Sequence, residues 1–587
     1  MLITLTGTRP HGGTPSAPPP PGGGDFPYGA AALPRNPSAV SMEWDWTEGG
    51  TRQVTGSPIS FSHSSPPTVT GTVYDVTSAA TWATAVAAAG DGDGIRITAD
   101  FSISAELLLS RTSSSGGWVR VYTDRLATLD TNVPYSGNYM TCTSTNRVDP
   151  ATDGTSIRTV TLTGTSNVAA LHCAQSAVGY WISGIKFTRT SDGNEAIVDL
   201  GATTMTQDAH LPSRIVLDRC VLDAAENAKR GLNLHGKDLL VSGCSIINAT
   251  STPQGYTDSV GIAAWRGGKN MLIFNNAVSA ESECIIFGGG DPPISNFLAG
   301  TDVAIIRNLL FKPAPWDSDA SYNLKKNMFE LKNGERVLFF GNVLQRYRSS
   351  SGGQFYQYAF TPTNQDGGQT WARVVDVNVV GNYSIDSNEG GVLQINPQGS
   401  SANDNQGGAR FTFAHNYHPH GSDDGQSKFV FSCGTAPDQT NWDDFHMEHN
   451  TVPCKETWFT IDNSLLGVGS WARFVCRNNA NWKAPNFGPV FTSAGVNKAQ
   501  LDSAFGSANW TFANNAQVTG GASWSTSSSL AVSPHNNIQD TAANMFTAPG
   551  SADYSAKTAG PLDGGATDGL MIGADVPWVL TLTTGVQ

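Results

Sequence analysis

The chain has 587 residues, a net charge of −14, a pI near 5.2, and 14% charged residues against roughly 25% in an average domain. Its 63 glycines imply many turns between short strands rather than a helical fold. No block of Lys and Arg supplies the footprint that a nucleic-acid partner needs, and no apolar run reaches the roughly 18 residues of a membrane helix, so both partners are excluded.

Residues 1–60 come first and differ from everything after them. Their "HGGTPSAPPPPGGGDFPYG" cannot bury a core and reads as an extended arm or attachment segment that orders on a partner. "MLITLTGTRP" has neither a basic nor an apolar signal region, so a conventional signal peptide is not expected. "TSAATWATAVAAAGDGDGIRIT" then predicts a short Ala-rich helix from about Ser78, a Gly/Asp turn and a strand over Ile95 to Thr98. Such a helix would close the open first coil of a stacked structure. "GYWISGI", Gly179 to Ile185, reads as an early coil.

A repeat follows. "RIVLDRC" ends at Cys220, "DLLVSGC" at Cys244, "NMLIFNN" at Asn276, "DVAIIRN" at Asn308 and "RVLFFGN" at Asn342. "DVNVVGN" ends at Asn382, "RFTFAHN" at Asn416, "DFHMEHN" at Asn450 and "RFVCRNN" at Asn479. The second and fourth residues of each heptad are apolar, the alternation of a strand with one buried face. Seventh positions are separated by 24 residues (Cys220 to Cys244) up to 40 (Asn342 to Asn382), a period that marks a solenoid or array. One strand per copy ending in Asn predicts an all-β fold, a right-handed parallel β-helix in which each Asn bonds its own backbone and the Asn one coil along. A propeller is the alternative, but no blade signature recurs and the spacings are unequal.

The expected division is therefore an arm over 1–60, a β-helix with its N-terminal cap over 61–481, and an irregular C-terminal segment over 482–587 that packs on or caps the solenoid. The eight Cys lie in no metal-binding spacing and read as buried thiols rather than a disulfide framework.

"VLDRCVLD", "KRGLNLHG", "CIIFGGGDPP", "KKNMFELKNGERVLFFGNVL" and "TPTNQDGGQTW" resemble the right-handed parallel β-helix repeat proteins of the pectate-lyase-like superfamily, over roughly Val73 to Asn479. "GATDGLMIGAD" is similar to the closing segment of many secreted members. The resemblance implies a β-helix and an association with polysaccharides, without fixing one activity, because lyases, hydrolases, adhesins and phage tailspikes share the fold. Cys284 departs from the pattern, standing where relatives often have Asn.

The densest polar cluster runs from Glu281 to Lys332. In "MFELKN", Phe329 and Leu331 point inward, so Glu330 and Lys332 share the outer face at about 7 Å by strand geometry. Glu283 lies beside the "FGGGDP" turn and Asp291 within it. Two carboxylates and a Lys suit either uronate elimination or glycoside hydrolysis; the plainer reading, preferred on the residues alone, is a ladder ion pair between Glu330 and Lys332 with the Gly run as a tight turn. His415 is expected to stack over His449, with His418, His420, Asp423 and Asp424 nearby, as an exposed polar stack rather than a metal site. Trp265, Trp316 and Trp371 fall in insertions between coils, where a ring serves either as a sugar platform or as a packing anchor.

The expected function is a virion-associated spike or fibre that binds, and in its enzymatic version depolymerises, a host surface polysaccharide. Residues 1–60 would contact other virion proteins, and tailspike-type members imply a homotrimer. The alternatives are a secreted polysaccharide lyase or glycoside hydrolase, and a non-catalytic adhesive solenoid. The expected location is the virion or the extracellular space. No cofactor is called for, with a divalent cation such as Ca2+ left open.

Overall fold

The computed structural model describes three short strands within residues 1–60 and most of 65–587, leaving aside chiefly 348–355, 363–370, 396–407, 420–428, 432–441, 462–471, 484–489, 492–500 and 520–534. Three parallel walls make up the body. A first sheet of 14 strands runs from Val73–Val76 to Trp510–Ala513, a second of nine from Phe101–Ile103 to Tyr383–Ile385, and a third of 12 from Leu107–Leu109 to Val490–Phe491. The chain visits them in turn, as in Gly334–Phe340, Val343–Gln345 and Tyr356–Phe360, and each strand pairs in parallel with its counterpart one coil later. This is a right-handed parallel β-helix. A four-stranded sheet, Thr451–Val452 to Ile538–Asp540, continues the second wall through single bridges from Tyr383 to Tyr417 and Tyr417 to Thr451.

The heptads form the first wall. Their second and fourth residues point inward, so Ile215, Leu217, Val303 and Ile305 are fully buried. Phe411, Phe445 and Phe474 stack from coil to coil with centroids 6.1 and 5.9 Å apart. The sixth residue turns the chain into the second wall in the left-handed region. Gly341 has φ +61° and Gly381 +66°, while Asn275, His415, His449 and Asn478 take the same region with φ between 53° and 58°.

The seventh residues are the predicted column. Asn276, Asn308, Asn342, Asn382, Asn416, Asn450 and Asn479 are buried, and each side-chain amide donates to the next Asn oxygen at 2.9–3.1 Å. Each also accepts the backbone N–H of the residue one coil before it, Cys244 for Asn276 at 2.9 Å and Asn308 for Asn342 at 2.8 Å. At the head of the column Cys244 Sγ accepts from the Cys220 backbone at 3.3 Å. The column runs two rungs past the last heptad read from the sequence, through Asn515 to Asn537, so the coils extend beyond the boundary expected at 481. "NWTFANN", Asn509 to Asn515, carries the same heptad, with Trp510 and Phe512 inward and Asn515 seventh, and sequence reasoning missed it; the coil that follows it lacks the heptad.

A second column stands at the first heptad position. Arg214, Asp238, Asn270, Asp302, Arg336, Asp376, Arg410 and Asp444 all take φ between 54° and 62°. Their signs largely alternate, and neighbours pair: Asn270 with Asp238 at 2.6 Å, Arg336 with Asp302 at 2.5 and 3.0 Å, and Arg410 with Asp376 at 2.7 Å. Like the Asn column, it rewards one register of stacking only.

The helix Ala79–Ala88 closes the first coil. Ser78 and Thr81 form its capping box, Trp82, Ala85 and Val86 are buried, and the Trp82 indole donates to Leu108 O at 3.2 Å. Residues 542–587 return along the outside of the first wall, over a stripe that includes Val216, Leu272, Phe274, Ile306, Phe340 and Val380. Their helix Val576–Thr583, capped by Asp575, buries Trp578, Val579 and Leu582. It sits directly on the turn glycines: a Cβ on Gly341 would lie 2.9 Å, and on Gly381 2.7 Å, from Leu582. Val586 O then accepts from Arg147 at 3.0 Å, far back toward the first coils.

Within residues 1–60, Ile3–Leu5, Met42–Glu48 and Arg52–Thr55 form a small sheet, where an extended arm was expected; the Pro/Gly-rich stretch lies outside the described residues. The seven described Cys are buried and form no disulfide.

Candidate functional site

The outer face of the third wall carries the polar groups. Glu283 opens the strand Glu283–Phe287, Glu330 is central in Phe329–Leu331 on the next coil, and Lys332 follows it. Phe329 and Leu331 are fully buried beneath them, as the alternation predicts. Glu330 lies opposite Ile286 across the rung.

Lys326 ties Glu283 to Asp258. Its ammonium lies 3.0 Å from Glu283 Oε1 and 2.8 Å from Asp258 Oδ1. The adjacent Asn327 donates to Glu330 Oε2 at 2.9 Å, and Lys332 Nζ approaches Glu330 Oε1 at 3.7 Å. The Glu330 and Lys332 side chains, rooted about 7 Å apart by strand geometry, thus meet as the ion pair that the sequence pattern allowed. Asp291 is half-buried in the turn beyond the strand of Glu283.

Glu283 is 1% exposed, and its Oε2 has no partner among the described residues. Burial pushes its carboxyl up to about 7, with Glu330 and Asp258 adding to the rise and Lys326 opposing it. For Lys326 burial is the largest influence and pulls downward, yet Glu283 and Asp258 hold the ammonium above the usual lysine range. A carboxyl that is half protonated near neutral pH beside a second carboxyl can hand over a proton while its neighbour accepts one.

Sequence reasoning missed Lys312, Lys326, Asn327 and Asp258. Lys312 is fully buried behind the turn that leads into Glu283, donating to the carbonyls of Ala280 at 2.7 Å, Glu281 at 3.1 Å and Ser282. Burial lowers its pKa, partly offset by Cys284, Glu283 and Glu281. A lysine straight after an apolar strand, in "LLFK", was the available signal.

The tryptophans divide. Trp265 is half-buried on the same wall, with the Arg230 guanidinium 4.5 Å from its ring centroid and the His235 ring edge-on at 4.4 Å. Trp371 is half-buried and donates to Phe297 O at 2.9 Å. Trp316 is 3% exposed, stacked on Tyr322 at 5.0 Å and bonded to Glu226 at 3.3 Å, so its ring acts as a packing anchor with no open face for a sugar.

The histidine expectation needs correction. His415 and His449 do stack, 4.9 Å apart, but they are buried because the C-terminal segment crosses them: Met571 O lies 3.0 Å from His449 and Trp578 packs against His415. His418 is buried beside Tyr358, and burial lowers its pKa to about 3, so it is a neutral core residue. His420, Asp423 and Asp424 lie outside the described residues. Among the described residues no group of three or more His, Cys, Asp or Glu is placed to hold a metal ion, and no helix is long and apolar enough to cross a membrane.

No family model and no curated protein sequence matches the chain. Among solved structures it is similar to the PL6 family alginate lyase AlyGC, with 11% identity and a TM-score of 0.40 over 81% of this chain and 53% of that one. The chain thus spans about half the length of that lyase. Pectate lyase Pel9A has 11% identity and a TM-score of 0.34 over 60% of this chain and 76% of that one. The Dettilon tailspike protein has 11% identity and a TM-score of 0.37 over 79% and 65%. The β-helix assignment rests on the strand register described above, not on these likenesses.

Proposed function

We propose that the chain is a polysaccharide-cleaving β-helix acting on a virion or outside the cell, with Glu283 as proton donor and Glu330 as its partner carboxylate. The carrying observation is the Glu283 carboxyl held near 7 by burial, one coil from Glu330 and joined to it through Lys326 and Asn327. In this reading Glu283 protonates the glycosidic oxygen as the C–O bond breaks. Glu330 takes a proton from the attacking water, or attacks the anomeric carbon itself before water releases the sugar.

Elimination is the second reading, favoured by the cations of Lys326 and Lys332 beside the carboxylates. There a base removes the proton α to a uronate carboxylate, and the ammonium groups stabilise the enolate-like charge while the leaving oxygen is protonated. Product analysis separates the two, since elimination leaves an unsaturated uronate that absorbs in the ultraviolet and hydrolysis does not.

The test is reducing-end release from a panel of neutral and acidic polysaccharides by wild type, Glu283→Gln and Glu330→Gln. Release by wild type and its loss in both variants is expected; no release by wild type refutes catalysis and leaves the adhesive solenoid. The attachment role rests on the sequence of residues 1–60, and deleting them should abolish particle association while sparing the β-helix. Chelation is expected to leave cleavage unchanged, and sedimentation of the full chain tests the homotrimer.

A further inference from the structure

A second constellation lies on the same outer face, nearer the first coil. His172, Asp199 and Asn233 occupy one outward row on three successive coils, and the same row continues through Ala263 and Ile286 to Glu330. At 4.7–4.9 Å per rung, Asn233 stands about 14 Å from Glu330 along the solenoid. Asn233 Nδ2 donates to Asp199 Oδ2 at 3.0 Å, and His235 Nδ1 lies 3.2 Å from Asp199 Oδ1. His172 Nδ1 lies 3.1 Å from Glu106. Trp265 stands over His235, while Asp199 and His172 reach solvent with 14% and 23% of their side chains exposed.

These groups are not used up by their mutual bonds. Asn233 is fully buried and His235 is 1% exposed, yet Asn233 Oδ1, His235 Nε2 and His172 Nε2 have no partner among the described residues. Buried polar atoms without partners are costly, so several gathered beneath one indole ring favour a ligand rich in donors and acceptors. Burial raises the Asp199 carboxyl, but His235 and Asn233 together hold it below the usual range, so it stays charged.

We propose that His172, Asp199, Asn233, His235 and Trp265 form a binding subsite for a neutral, hydroxyl-bearing sugar of the polysaccharide cut at Glu283. The inference rests on the cleavage reading above and adds the substrate class to it. Sugar hydroxyls both donate and accept, which suits a carboxylate, an amide oxygen and two imidazole nitrogens, and the sugar's C–H face packs on the indole. A uronate here would face Glu106, Glu195 and Asp199 against Arg230, which keeps its charge on the Trp265 ring, and Arg266, so the acidic groups outnumber the two arginines. Like charge thus selects against an acidic sugar at this position.

Full-length Glu283→Gln tests the subsite by affinity electrophoresis in gels containing galactomannan, xyloglucan, dextran, polygalacturonate or alginate. At least one neutral polymer should retard the protein, with affinity falling tenfold or more in Asn233→Ala and Trp265→Ala and returning in Trp265→Phe. Circular dichroism confirms that each variant is folded. Retardation by acidic polymers alone, by none, or unchanged in the variants overturns the proposal. If the retardation responds to Asn233 while wild type cuts no polymer, the subsite stands and the cleavage reading falls.

Discussion

Replacing Asn382 by Ala removes one rung from the middle of the column. Its amide donates to Phe339 O at 3.2 Å and Asn416 Oδ1 at 2.9 Å, and its oxygen accepts from Asn342 N at 2.9 Å and Asn342 Nδ2 at 3.1 Å. Asn416 Oδ1 keeps the Asn382 backbone N–H, and Asn342 Nδ2 keeps Ile305 O. The buried Asn342 backbone N–H loses its side-chain acceptor, and no water reaches that position. Counting one orphaned donor at about 1–3 kcal/mol and three further lost bonds at about 1 kcal/mol each gives a destabilisation of about 4–6 kcal/mol. Asn537, on the last rung and 8% exposed, makes three such bonds where water can substitute, so Asn537→Ala should cost about 2 kcal/mol. Urea unfolding followed by far-UV circular dichroism measures both, with exposed Thr511→Ala as control. Equal midpoints for Asn382→Ala and Thr511→Ala would refute the reasoning, because the column would then be carrying no stability.

Glu283 makes the fold prefer a protonated carboxyl. Its pKa rises from an ordinary 4.5 to about 7, so the native state binds more protons and stability should fall as pH rises through that interval. Glu283→Gln should flatten that slope in pH-dependent urea melts, and wild-type kcat/KM should fall above about pH 7 as the donor loses its proton. Truncation before Val576 uncovers the stripe beneath Trp578, Val579 and Leu582; dye binding should increase, and Trp578→Ala alone should cost about 3 kcal/mol in urea melts. Asp302→Arg sets two arginines against each other in the charged column and should cost about 3 kcal/mol in urea melts, while Asp302→Asn, which only removes the pair, should cost less.

The Asn column was legible because every copy repeats the same physics: an inward apolar pair, a left-handed sixth residue and a buried amide that only the next coil can satisfy. The charged column was present in the same heptads, as Arg214, Asp238, Asn270, Asp302, Arg336, Asp376 and onward, yet attention to apolar alternation passes over the one position where the residues change sign from copy to copy. Glu283, Glu330 and Lys332 could be placed on one wall from alternation and coil order. Lys326 and Asp258 could not, since they reach Glu283 from irregular connections whose course no periodicity describes. The histidine stack was foreseen as a stack but not as buried, because the covering segment lies more than a hundred residues away in sequence, as the contact between His449 and Met571 shows.

Why the chemistry gathers on the third wall follows from how the coil is constrained. The corner between the first and second walls is a short turn locked by the Asn column, so it admits no insertion. The outer face of the first wall is covered by the C-terminal segment along the stripe from Val216 to Ala414. Variable length is left to the connections on either side of the third wall: Trp265 and Trp371 follow its strands, and Trp316, Lys326 and Asn327 lie in the segment that enters Phe329–Leu331. A rigid ladder on one side and free connections on the other let charged groups such as Lys326 be brought over the strands without disturbing the stack. Insertions there can change which polymer is held while the register of the walls stays the same.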